Sequence, residues 1–280
     1  MLCTLRPIIL SSRFRSWSFL NDRDISPACI RCSSSDERLG RSLLRMERQL
    51  NKGDYKRALS TVKQLQGKPG GLHGFGAAEQ VLTPFSLFSI YMPWKILSSG
   101  DLFVQALGDS VEKIFLEEGN EDLSQEDLFM FAQHEAGHFL CGYLLGVLPK
   151  GYELLKKGIS GQHQIAGGNV NFVGFDFLGD IPLNPQTFDN FSCVIVGGLV
   201  AEHLSLGYSE GLHSDIDKLD RVIRWTSLRE DEAKFHIRWA VTNTSYILHQ
   251  HKEALQRLAE AMAAGKSIGT CIQVIEHAIH

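Results

Sequence analysis

The chain has 280 residues, with 28 Lys and Arg against 32 Asp and Glu, a net charge of −4. That length and balance allow a sizeable buried core, and nothing in the charge points to nucleic acid. The six cysteines are no disulfide framework: Cys3, Cys29 and Cys32 lie at the extreme N-terminus, and Cys141, Cys193 and Cys271 stand far apart in apolar helical contexts. These last three read as buried small hydrophobes.

Residues 1–32 differ from the rest. They hold Arg6, Arg13, Arg15, Arg23 and Arg31 and several serines, with only Asp22 and Asp24 as acids. An arginine- and serine-rich, acid-poor start has the composition of an organelle transit peptide. The stretch Ile30-Arg31-Cys32-Ser33 is similar to the end of a chloroplast transit peptide. The expectation is a plastid protein, in the stroma or on the thylakoid surface, rather than a mitochondrial one. Losing five positive and two negative charges would leave the mature chain at −7.

Residues 33–70 read as a helical hairpin and linker. Leu43 to Leu50 and Lys56 to Leu65 are amphipathic runs broken at Gly53-Asp54-Tyr55, and Gly67 to Gly76 reads as flexible, glycine-rich chain. Residues 71–123 form an apolar, mostly helical lead-in. Val81 to Leu97 carries Pro84, Pro93 and Lys95, and Phe191 to Ala201 is short, so no integral membrane span is expected.

The segment 124–280 carries the chemistry. Ser124 reads as an N-cap, with Leu123 and Leu128 at staple spacing across it, and Gly146 as a C-terminal stop. The helix between is apolar on most faces and contains His134-Glu135-Ala136-Gly137-His138. Histidines four apart lie one above the other on a helix face, so both imidazoles can reach one metal ion. Glu135 is then placed to take a proton from a water polarised by that metal. Burying three ionisable groups without partners would cost several kcal/mol, and a zinc ion supplies the missing partner.

Glycine-rich turns follow, and Asn169 to Phe172 alternates polar and apolar residues as a short strand does. From Pro185 onward the pattern is helical. Helices are expected over Phe188–Leu206, from an N-cap at Ser214, and over Glu230–Gln250, Lys252–Ala264 and Ile268–Ile279. The Gly265-Lys266-Ser267 triplet is no ATP site, because Glu260 stands where a phosphate loop needs its first glycine. A catalytic zinc needs a third protein ligand and an open position for water. Glu202, His203, His213, Asp215 and Asp217 are all candidates by residue type, and spacing does not choose among them.

Three ordered segments resemble the peptidase domain of the FtsH family of zinc metallopeptidases. His134-Glu135-Ala136-Gly137-His138 matches that family's HExxH. Gly197-Gly198-Leu199-Val200-Ala201-Glu202-His203 is similar to its Gly-Gly-x-x-Ala-Glu-Glu helix. Gly211-Leu212-His213-Ser214-Asp215-Ile216 is similar to its Gly-Ala-x-Asn-Asp-Leu segment, whose final aspartate is a zinc ligand. The resemblance implies Asp215 as third ligand, Glu135 as general base and Glu202 as a supporting residue. His203 and Ser214 depart from the family pattern. The ATP-driven unfoldase of that family has no counterpart in residues 33–123, so ATP dependence would come only through an FtsH-type membrane ATPase partner.

The expectation is thus a mainly α, FtsH-peptidase-like helical domain with a small β element, preceded by a helical hairpin. Its expected function is that of a zinc metalloendopeptidase acting on unfolded or small protein substrates. The alternative is a non-catalytic assembly or chaperone factor with a structural zinc site.

Overall fold

Helices dominate, and the two strands form one small sheet. The computed structural model describes residues 34–78, 125–154, 168–174, 185–206, 213–226 and 228–279. The presequence, residues 79–123 of the apolar lead-in and the cap and staple around Ser124 lie outside the described residues.

Two helices, α1 (Ser34–Asn51) and α2 (Tyr55–Leu65), form the hairpin expected from the sequence. Leu39, Leu43, Met46 and Leu50 of α1 recur at helical spacing and are buried with Ala58 and Val62 of α2. The turn between them needs a left-handed residue. Gly53 supplies it at φ 73°, and the amides of Gly53 and Asp54 return to Leu50 O and Gln49 O. Asp54 then caps α2, its carboxylate accepting from Arg57 N at 3.3 Å.

The glycine-rich stretch after the hairpin is anchored rather than flexible, contrary to the sequence expectation. Leu72 and Phe75 are buried, and Phe75 packs edge-on to the Tyr143 ring at 5.3 Å. The carboxylate of Glu276 accepts from His73 N at 2.6 Å, Gly74 N at 2.9 Å and Tyr143 Oη at 2.6 Å. Glycine composition hid this because the anchor comes from a residue some two hundred positions away.

The long helix α3 (Gln125–Leu144) is the centre of the fold, and every residue from Ala132 to Leu144 is buried. It ends as expected at Gly146, φ 79°, with Gly146 N bonded to Tyr143 O and Val147 N to Gly142 O. Strands β1 (Pro149–Leu154) and β2 (Gly168–Phe172) pair antiparallel, with Tyr152 opposite Val170, and lie against α3. The remaining helices are α4 (Pro185–Ile195), α5 (Gly197–Leu206), α6 (His213–Thr226), α7 (Glu230–Gln250), α8 (Lys252–Ala263) and α9 (Ile268–Ile279). Helix α3 packs chiefly on α5 and α8, and α1 docks the hairpin on α9.

Two details of this second half differ from the expectation. The single helix expected over 188–206 is broken at Val196, and α6 begins at His213 rather than after a cap at Ser214. The break has a physical cause. The carbonyl of Cys193 is taken by Thr244 Oγ1 at 3.1 Å and that of Val194 by His138 Nδ1 at 2.7 Å. Gly197 then lets the backbones of α3 and α5 touch: a Cβ on Gly137 would collide with Gly197 O.

The Gly265-Lys266-Ser267 triplet proves to be turn chemistry. Gly265 adopts φ 66° and closes α8, with Lys266 N returning to Ala261 O. Ser267 Oγ accepts from Thr270 N at the start of α9. Cys141, Cys193 and Cys271 are free and fully buried, as expected. Among the described residues no helix is long and apolar enough to cross a membrane.

Replacing Glu276 by Ala strands two backbone amides and the Tyr143 hydroxyl in a buried place. The expected cost is about 3 kcal/mol, read as a lower urea midpoint. An unchanged midpoint would show that the strap contributes nothing to stability.

Candidate metal centre

The buried face of α3 presents His134 and His138 one turn apart, their ring centroids separated by 4.7 Å. Asp215 enters from the first turn of α6 and is 2 % exposed. His134 Nε2, His138 Nε2 and Asp215 Oδ2 form a triangle with edges of 3.0, 2.9 and 3.0 Å.

The outer partners of the rings decide what meets inside that triangle. His138 Nδ1 faces Val194 O, a carbonyl that only accepts, so this nitrogen carries the proton. His134 Nδ1 donates to Glu202 Oε1 at 2.7 Å. Both Nε2 atoms of the neutral rings are therefore lone-pair donors, and they converge with a carboxylate oxygen. Three such atoms at mutual contact repel one another unless a cation sits among them. Tetrahedral zinc at about 2.05 Å from each ligand would space them about 3.3 Å apart, so a small outward movement suffices. His134, His138 and Asp215 together can hold a metal ion.

The electrostatics of these side chains express the same demand for positive charge. Burial alone would lower the pKa of His134, but hydrogen bonds and charges from Asp215 and Glu202 push it up to about 10. Burial would raise Asp215, yet the neighbouring imidazoles of His138 and His134 hold it well below the usual carboxylate range. Lys218, one turn on, donates to Asp215 Oδ1 at 2.8 Å and leaves Oδ2 for the triangle.

Glu135 lies beside the triangle on the same helix, 2 % exposed. Its Oε2 has no hydrogen-bond partner among the described residues. Burial raises its pKa, an effect only partly offset by the two imidazoles. Room for this carboxylate is made by β2, where a Cβ on Gly168 would strike it.

Of the five residues considered for the third position, the four whose side chains are described separate clearly. Asp215 reaches both imidazoles. Glu202 meets the outward nitrogen of His134, where it orients the ring. His203 and Asp217 are exposed, and the side chain of His213 lies outside the described residues. Sequence reasoning missed four supporting groups: the Val194 carbonyl, Lys218, Gly168 and Gly198. A Cβ on Gly198 would enter the His134 ring. Only two of these left a trace in the sequence, Lys218 three residues after Asp215 and Gly198 in a glycine pair.

No protein-family model matches the chain, and no curated protein matches it. The case for the site rests on its own geometry.

Asp215→Ala should lose most bound metal, whereas Glu202→Ala should retain it with about 10- to 100-fold weaker affinity. Competition with a chromogenic chelator distinguishes the two. A Glu202 variant that loses metal outright while Asp215→Ala keeps it would reverse the assignment.

Proposed function

We propose that the chain is a zinc metalloendopeptidase that hydrolyses peptide bonds of unfolded or small protein substrates. The single observation carrying this reading is Glu135, a buried carboxylate with an oxygen unpartnered among the described residues, beside three converging candidate metal ligands. A structural zinc site is closed by four protein ligands and has no use for such a group, whereas a catalytic site keeps three ligands and an open position.

Zinc, when bound, would supply Lewis-acid polarisation of a water and of the scissile carbonyl. Glu135 would accept the water's proton at Oε2 and later deliver it to the nitrogen of the leaving amine, returning to its starting state. His134 and His138 would be held as neutral ligands by Glu202 and the Val194 carbonyl. Lys218 would keep Asp215 oriented through its other oxygen.

The resemblance to FtsH peptidases supports the same reading, and with it an ATPase partner that delivers unfolded chains; the arginine- and serine-rich composition of residues 1–32 supports a plastid location. One observation favours a second reading, a non-catalytic factor that keeps zinc for stability. His134, Glu135, His138 and Asp215 are all at most 8 % exposed, so a substrate needs the site to open.

Glu135→Gln should retain stoichiometric zinc and lose casein cleavage by at least about a hundredfold. Gly168→Ala, which crowds the same carboxylate, should retain zinc and also lose activity. Zinc binding without cleavage in the unaltered chain, even with unfolded casein, would favour the non-catalytic reading. Wild-type-like cleavage by Glu135→Gln would remove Glu135 from its role.

A further inference from the structure

The hairpin has a property that its packing role does not use. Residues 36–66 hold eight Lys and Arg against four Asp and Glu, a net charge of +4. Residues 67–280 hold 15 against 26, a net charge of −11. A short basic element on an acidic body is an asymmetry of the kind that selects partners.

The outer face of the hairpin also has a shaped feature. Ser42, Arg45 and Gln49 recur along one side of α1, and Arg57, Ser60 and Thr61 along one side of α2. Between them runs a groove of about 300 Å³. Arg45 makes no ion pair among the described residues. Arg57 pairs with Asp54 at 3.3 Å, both side chains well exposed, and such a pair is worth little and is readily exchanged. Hydroxyl and amide groups line the floor, where Thr61 Oγ1 donates to Gln49 Oε1 at 2.9 Å. Two guanidinium-bearing residues lining one groove with neutral hydrogen-bonding groups suit carboxylates, which Arg binds through paired N–H donors.

We propose that this groove docks a short acidic segment of a partner protein. A membrane surface fits less well, because Leu39, Leu43, Met46, Leu50, Ala58 and Val62 are turned inward, leaving Leu44 and Tyr55 as the large apolar side chains exposed on the hairpin. A nucleic acid would extend past the hairpin onto the acidic body. An acidic segment of a few residues fits within the groove and stays on the basic element. The inference is independent of the metal centre, since none of the groove residues touches it.

The test uses the full chain and a fluorescein-labelled decaglutamate peptide in polarisation titrations at low and high salt. Saturable, salt-sensitive binding is expected. Arg45→Glu/Arg57→Glu should weaken it by about tenfold, the loss expected when exposed ion pairs become like-charge contacts. Arg48→Glu/Lys63→Glu removes the same charge from the hairpin outside the groove and should leave binding within about twofold. Unchanged helical circular dichroism establishes that both variants fold. Equal weakening by the two variants, or no peptide binding, overturns the proposal. So does preferential binding to phosphatidylglycerol vesicles, or a salt-sensitive dimer that the groove variant dissolves, since either puts a different occupant there.

Discussion

With both rings neutral, three lone-pair-bearing atoms meet within 3.0 Å of one another in a buried place. The outer nitrogens are already committed, one to Glu202 and one to the Val194 carbonyl, so the rings cannot turn away without abandoning a buried hydrogen bond. An extra proton on His134, whose pKa its carboxylate neighbours raise, would relieve this convergence. A divalent cation relieves it without that proton and matches the geometry already present. Much of the surrounding structure serves to keep the convergence in place.

The service is visible in the backbone. Glycines at 137 and 197 let α3 and α5 approach until their main chains touch, which brings Glu202 under His134. Gly198 leaves space for the His134 ring, and Gly168 leaves space for Glu135. The helix break at Val196, which costs regular hydrogen bonds, frees the Val194 carbonyl to fix the tautomer of His138. Each of these is a local concession whose benefit appears one helix away.

The sequence disclosed the elements with strong local signals. The HExxH helix, its stop at Gly146, the hairpin, the strand at Asn169 and the last three helices follow from periodicity and glycine placement, and the structure has them. It concealed what depends on distant partners. Gly67 to Gly76 reads as loose chain because its anchor, Glu276, lies at the other end of the sequence. The break at Val196 is invisible because its causes, Thr244 and His138, belong to other helices. At the site, spacing paired the two histidines but could not choose among five downstream residues. The resemblance singled out Asp215, and the fold brings that residue, through α6, to both imidazoles.

X-ray absorption at the zinc edge, on the full chain loaded with one equivalent of zinc, reads the ligand set itself. A site of His134, His138 and Asp215 should give a first shell of nitrogen and oxygen at about 2.0–2.1 Å with the multiple-scattering signature of two imidazoles. Asp215→Ala should remove the bound zinc rather than rearrange it. Sulfur ligation at about 2.3 Å, a single imidazole, or no bound zinc would contradict that assignment.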